Sequence, residues 1–189
     1  MFNKSLIVVF TLLAFVSYSF AQKKDKDISK IDIPETTWSL EVSLPGFAVT
    51  RNVVNRDNQG GRLDAAIESE GYMLTIMWVK TAEKGTSKEL RDLASTNLKQ
   101  SPVEKDVFTH SEYKEFPMLE YLVKEFRGVR LDQKHYNAYI AKDGVWIDIH
   151  LSKVKYKTGD EKRFFALLDS VKFVDAKLPG KMSPPEISR

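Results

Sequence analysis

Asp143-Gly144 sits between two runs of alternating residues, KHYNAYIAK before it and VWIDIHLSK after it. A two-residue Asp-Gly loop favours a type I′ turn, with positive φ at both central residues, and so fixes how the flanking strands pair. Lys142 then faces Val145, Ile140 faces Ile147, Ala138 faces Ile149 and Tyr136 faces Leu151. This set is mostly apolar and is expected to face a core. The other face carries Ala141, Tyr139, Asn137 and His135 against Trp146, Asp148, His150 and Ser152. A slip of one residue would exchange the faces, so the pattern itself specifies the register. After the hairpin, Phe164, Leu167, Leu168 and Val171 form one helical stripe. Asp160 and Glu161 lie in its first turn, where the helix dipole favours negative charge.

The N-terminus sets the compartment. Lys4 precedes an apolar run from Leu6 to Val16, and Ser19-Phe20-Ala21 supplies small residues at the positions a signal peptidase reads. Residues 1–21 are therefore read as a secretory signal, too short to span a bilayer stably. Cleavage predicts a periplasmic or secreted protein without a membrane span. A retained signal would instead make it a membrane-tethered envelope factor. The chain has no cysteine, which excludes disulfides, thiolate metal sites and thiol catalysis. The formal charge of +3 is spread among both signs, unlike the clustered basic face of a nucleic-acid binder.

Residues 22–36 are polar and read as a flexible leader, residues 37–175 as one domain, and the Pro-rich residues 176–189 as a disordered tail. Within the domain, strands are expected at Trp38 to Leu44 and Phe47 to Val54, joined by a Pro45-Gly46 turn. A second hairpin is expected from Arg62 to Thr81 around Glu70-Gly71. Its second strand is apolar on both faces, with Met73, Met77 and Val79 on one of them, and is expected to be covered on both. Thr86-Ser87-Lys88-Glu89 is a capping box opening a helix. Val107 to Phe116 and Met118 to Arg127 read as strands separated by Pro117. Strand hairpins with inserted helices define an α+β domain with a largely antiparallel sheet.

The order of elements, the paired run YNAYIAKDGVWIDIH and the ending FFALLDSVKFV resemble the PsbP-like fold superfamily over roughly residues 38–174. Phe164, Phe165, Leu168, Ser170 and Phe173 occupy the positions of that family's closing helix and strand. The resemblance implies an α/β/α sandwich and an exported or lumenal accessory protein. It implies no catalytic motif and transfers no functional residue.

Candidate chemistry is sparse. Ser111 and Lys114 match S-x-x-K, and Lys157-Thr158-Gly159 matches K-T-G, the motifs of penicillin-binding serine enzymes. A strand would throw Ser111 and Lys114 to opposite faces, whereas that chemistry needs them one helical turn apart. Asn55, Asp57, Gln59 and Gly60 resemble half of a calcium loop, but Ala66 stands where a bidentate Glu is required. His110 has no evident partner. His135, Asp148 and His150 share one hairpin face and form the candidate metal or acid–base set. Trp146, Tyr139, Asn137 and His150 form the candidate binding patch on that face, since Trp and Tyr are enriched at binding surfaces. No catalytic residue and no cofactor is assigned. The reading is an exported, non-catalytic binding or accessory module of the envelope, its partner an envelope protein or a small-molecule ligand. The alternative is a metal-dependent or acid–base enzyme.

Overall fold

Residues 28–82, 85–100 and 106–176 are described by the structure, a computed structural model. The elements run β1 (Ile28–Asp32), β2 (Trp38–Ser43), β3 (Ala48–Val54), β4 (Gly60–Ile67), β5 (Tyr72–Lys80), α1 (Ser87–Gln100), β6 (Asp106–Tyr113), β7 (Phe116–Phe126), β8 (Val129–Lys142), β9 (Val145–Lys153), α2 (Glu161–Ser170) and β10 (Lys172–Asp175). The signal read in residues 1–21 and all but the first residue of the expected tail lie outside the described residues.

Seven strands form one antiparallel sheet in the order β3-β4-β5-β9-β8-β7-β6, and β1-β2-β10 form a small second sheet. The β8–β9 hairpin lies within the large sheet, with the register that its turn dictates: Lys142 opposite Val145, Ile140 opposite Ile147, Tyr136 opposite Leu151. Asp143 and Gly144 both take positive φ, 50° and 74°, as a type I′ turn requires.

One face of the large sheet carries Leu63, Leu74, Ile76, Ala138, Ile147 and Ile149, each at most 1% exposed. The small sheet and α2 close over this face, contributing Leu40, Val42, Phe164 and Leu168 to the same core. On the other face, α1 packs on β7 and β8 above a second core of Leu119, Tyr121, Val123 and Tyr139. The domain is thus α+β, with one helix on each side of an antiparallel sheet. The capping box holds α1 in place: the Thr86 N–H donates to Glu89 Oε2 at 2.7 Å, and the Glu89 N–H donates to Thr86 Oγ1 at 3.2 Å.

Three expectations are corrected. Residues 28–32, within the stretch read as a flexible leader, form β1 and pair with β2. The charged sequence concealed two apolar anchors, Ile31 and Ile33, which are buried at 4% and 3% exposure. The turn between β6 and β7 falls at Lys114 and Glu115, and Pro117 lies inside β7 opposite Glu112. The pairing of β7 with β8 begins only at Met118, so the missing N–H of Pro117 falls outside that ladder. Finally, β5 is covered on one face only. Met73, Met77 and Val79 are 47%, 39% and 38% exposed, because α1 spans β7 and β8 and leaves β5 bare.

Candidate functional site

Hairpin geometry places the candidate residues on the α1 side of the sheet in successive rows. Trp146 stands opposite Ala141, Asp148 opposite Tyr139, His150 opposite Asn137, and Ser152 opposite His135. Across β9 from β8, the same rows continue into β5 as Val79, Met77, Thr75 and Met73.

Diagonal neighbours in this lattice are bonded. His135 Nδ1 and His150 Nε2 lie 2.9 Å apart in a hydrogen bond. The His135 ring also stacks on Tyr121 of β7, with centroids 4.5 Å apart and planes 8° from parallel. Sequence reasoning missed Tyr121, whose strand is fixed only by long-range pairing. The Asn137 Nδ2 donates to Asp148 Oδ1 at 2.9 Å. Burial sets the protonation of these groups. Loss of water, with Arg62 nearby, lowers His150 to about 4. Desolvation raises Asp148 to about 6, opposed by the Asn137 hydrogen bond. The His150 imidazole is therefore neutral near pH 7 and shares the hydrogen bond with His135.

The structure does not bring His135, Asp148 and His150 together at one point. His135 is level with Ser152, four residues along β9 from Asp148, a separation of about 13 Å at the rise of a strand. His150 lies between them, and the two flanking groups are directed to separate partners. Among the described residues, no group of three or more His, Asp or Glu side chains is arranged to hold a metal ion.

The candidate binding patch divides in two. Tyr139, Asn137 and His150 are buried at 1%, 5% and 7% exposure, with Tyr139 in the core beneath α1. Two atoms of this buried group, Asn137 Oδ1 and Tyr139 Oη, have no hydrogen-bond partner among the described residues. Trp146 is only half-buried and lines a cavity of about 490 Å³ at the hairpin turn. Thr81, Gly85, Ala141, Lys142 and Gly144 complete much of its wall. The cavity is built from two connections. The Thr81 N–H donates to the Gly144 carbonyl at 2.8 Å and ties the end of β5 to the turn. Gly85 then passes over the indole so closely that an added Cβ would sit 3.0 Å from the Trp146 ring. The Ala141 N–H donates to Ser87 Oγ at 2.9 Å and pins the first turn of α1 beside it. Thr81, Gly85 and Ser87 carried no local signal, since their role comes from crossing a strand 60 residues further along the chain, on the order of what long-range packing routinely brings together.

The motif coincidences dissolve. Ser111 Oγ donates to Glu120 at 2.7 Å, while Lys114 pairs with Asp169 at 2.6 Å. His110, without an expected partner, accepts or donates to Ser95 Oγ at 2.8 Å.

No family model matches the chain, and no curated protein matches it. Solved structures do. The solution structure of cyanobacterial PsbP (CyanoP) from Synechocystis sp. PCC 6803 is 11% identical, with a TM-score of 0.48, over 83% of this chain and 98% of that one. The crystal structure of LpqN, described as involved in cell envelope biogenesis of Mycobacterium tuberculosis, is 10% identical, with a TM-score of 0.33, over 80% of this chain and 86% of that one. At these identities the likeness concerns the course of the backbone alone.

Proposed function

We propose that this chain is an exported, non-catalytic binding module of the cell envelope that takes a small ligand in the Trp146 cavity. The cavity carries the reading. Its volume of about 490 Å³ falls within the range of small-molecule sites, roughly 300–1,000 Å³. Trp146 lines it, and its indole offers a large flat contact at little cost in side-chain entropy. Lys142 and Asp143 are also among its lining residues, their side chains 3.2 Å apart and engaged with Trp38. The titratable groups behind it support binding over turnover: His135 and His150 are committed to each other and Asp148 to Asn137. Export rests on the signal read in residues 1–21.

Thermal unfolding of the exported protein against a panel of small organic compounds tests this. A ligand at 100 times its dissociation constant stabilises by about 2.7 kcal/mol, a shift of several degrees. The expected result is a shift that is lost in Trp146→Ala. Shifts that persist in Trp146→Ala would place binding elsewhere and contradict the proposal.

A further inference from the structure

The two helices grip the sheet unequally. α2 buries Phe164, Leu167 and Leu168. α1 is the longer helix, 14 residues against 10, yet Ser95 is its one buried residue. Leu90, Ala94 and Leu98 are only partly buried against the core beneath α1, and Leu93 is 43% exposed. Hydrophobic attachment scales with the apolar area removed from water, so α1 is held more weakly than α2. The floor beneath it weakens the closed state further. Tyr139 Oη and Asn137 Oδ1, on that face of β8, are buried without a hydrogen-bond partner among the described residues. An unpaired polar atom in a dry site is destabilising, and water reaching it relieves the cost.

The polar ties of α1 differ between its two halves. In the second half, the buried Ser95 bonds His110 of β6 at 2.8 Å, and Lys99 Nζ lies 5.5 Å from the centre of the Phe108 ring. The first half is tied by Ser87 Oγ, which accepts from the Ala141 N–H. It also carries the Lys88–Glu112 ion pair, 2.9 Å long and exposed on both sides, a kind of contact that contributes little. Ser87 stands about 12 Å along the helix from Ser95. A small tilt about Ser95 therefore lifts the first turn off Ala141 and draws Gly85 away from the Trp146 ring. Gly85 and Ala141 both line the cavity, so the same tilt widens it.

We propose, resting on the cavity reading above, that α1 is a cover that pivots about Ser95 and admits ligand to the Trp146 cavity by swinging its first turn off Ala141. The sheet itself stays intact in this motion, since Ala141 keeps its place opposite Trp146 in the β8–β9 ladder.

Amide hydrogen exchange reads the motion without any ligand. A helix of 14 residues lifted from its sheet is marginal in water, so its amides exchange whenever α1 swings. The amides of residues 91–97 and of Ala141 are expected to exchange at least about tenfold faster than those of Leu167 and Leu168 in α2. Tyr139→Phe is expected to slow α1 by about fivefold or more, because its closed state no longer holds an unpaired hydroxyl. Unchanged exchange in α2 shows that this variant folds. A hydroxyl that is bonded in the closed state would give the opposite sign. The chain has no cysteine, so Ser87→Cys with Ala141→Cys places a single disulfide across the moving joint. Oxidation is expected to lower the acrylamide quenching of Trp146 and to slow the binding of compounds that fill its cavity, and reduction to restore both. Exchange in α1 as slow as in α2, or faster exchange in Tyr139→Phe, overturns the inference. Compounds that bind at Trp146 equally fast in the oxidised and reduced protein overturn it while leaving the cavity reading intact. Binding that survives Trp146→Ala overturns both.

Discussion

His135 and His150 stack with ring centroids 5.2 Å apart and share a hydrogen bond of 2.9 Å, so the two imidazoles behave as one buried unit. Removing one partner leaves the other with an unsatisfied nitrogen in a dry site, a loss of about 1–3 kcal/mol beyond the packing. His135→Ala and His150→Ala are each expected to destabilise strongly. Replacing both by Phe is expected to cost less than the sum of the two single His→Phe changes, because no orphaned nitrogen remains. Chemical denaturation of the four proteins in a double-mutant cycle measures this coupling.

On the same face, the titrations of His150 and Asp148 act on stability with opposite sign. His150 is lowered to about 4 from its ordinary 6.5. The unfolded chain therefore binds the extra proton between those values, and stability falls as pH drops through that window. Asp148 is raised to about 6 from 3.8. Here the folded chain binds the extra proton, and stability falls as pH rises through the window. Each slope is about 1.4 kcal/mol per pH unit at full effect, with opposite sign, so they largely cancel between pH 4 and 6. Asp148→Asn is expected to unmask a loss of stability on acidification, and His150→Gln a loss on raising pH. Denaturation midpoints at pH 4, 5 and 6 read both signs.

Ile31 ties β1 to the core, buried at 4% exposure. Ile31→Ala is expected to cost about 2–5 kcal/mol, as for other buried isoleucines. A freely flexible leader would show no change in the urea midpoint.

On β5 the two faces should respond differently. Ile76 is fully buried, whereas Met77 is 39% exposed. Ile76→Ala is expected to cost about 2–5 kcal/mol, and Met77→Thr to stay within about 0.5 kcal/mol. A large loss in the second variant would mean that something covers this face in solution.

These contrasts mark what the sequence could convey. The β8–β9 register was legible because Asp143-Gly144 and strict alternation fix it locally, and the diagonal placement of His135 and His150 followed from it. The start of α1 was legible because Thr86 and Glu89 satisfy each other within one turn. Coverage was not legible. Met77 and Ile76 are equally apolar in sequence, and only the position of α1 over β7 and β8 makes one of them surface. For the same reason the proposed patch split, with Tyr139 beneath the helix and Trp146 at its edge. The cavity wall at Thr81 and Gly85 was invisible, since it arises where a connection crosses a distant turn.

Tryptophan fluorescence addresses the central claim most directly. Trp38 and Trp78 are buried at 5% and 3% exposure, which leaves Trp146 as the half-buried indole of the three in the chain. The protein and its Trp146→Phe variant would be titrated side by side with the compounds that shift the unfolding temperature. A saturable change in emission and a loss of acrylamide quenching, both absent from the variant, are the predicted result. Binding with unchanged emission, or the same change in both proteins, would contradict the assignment of the cavity as the binding site.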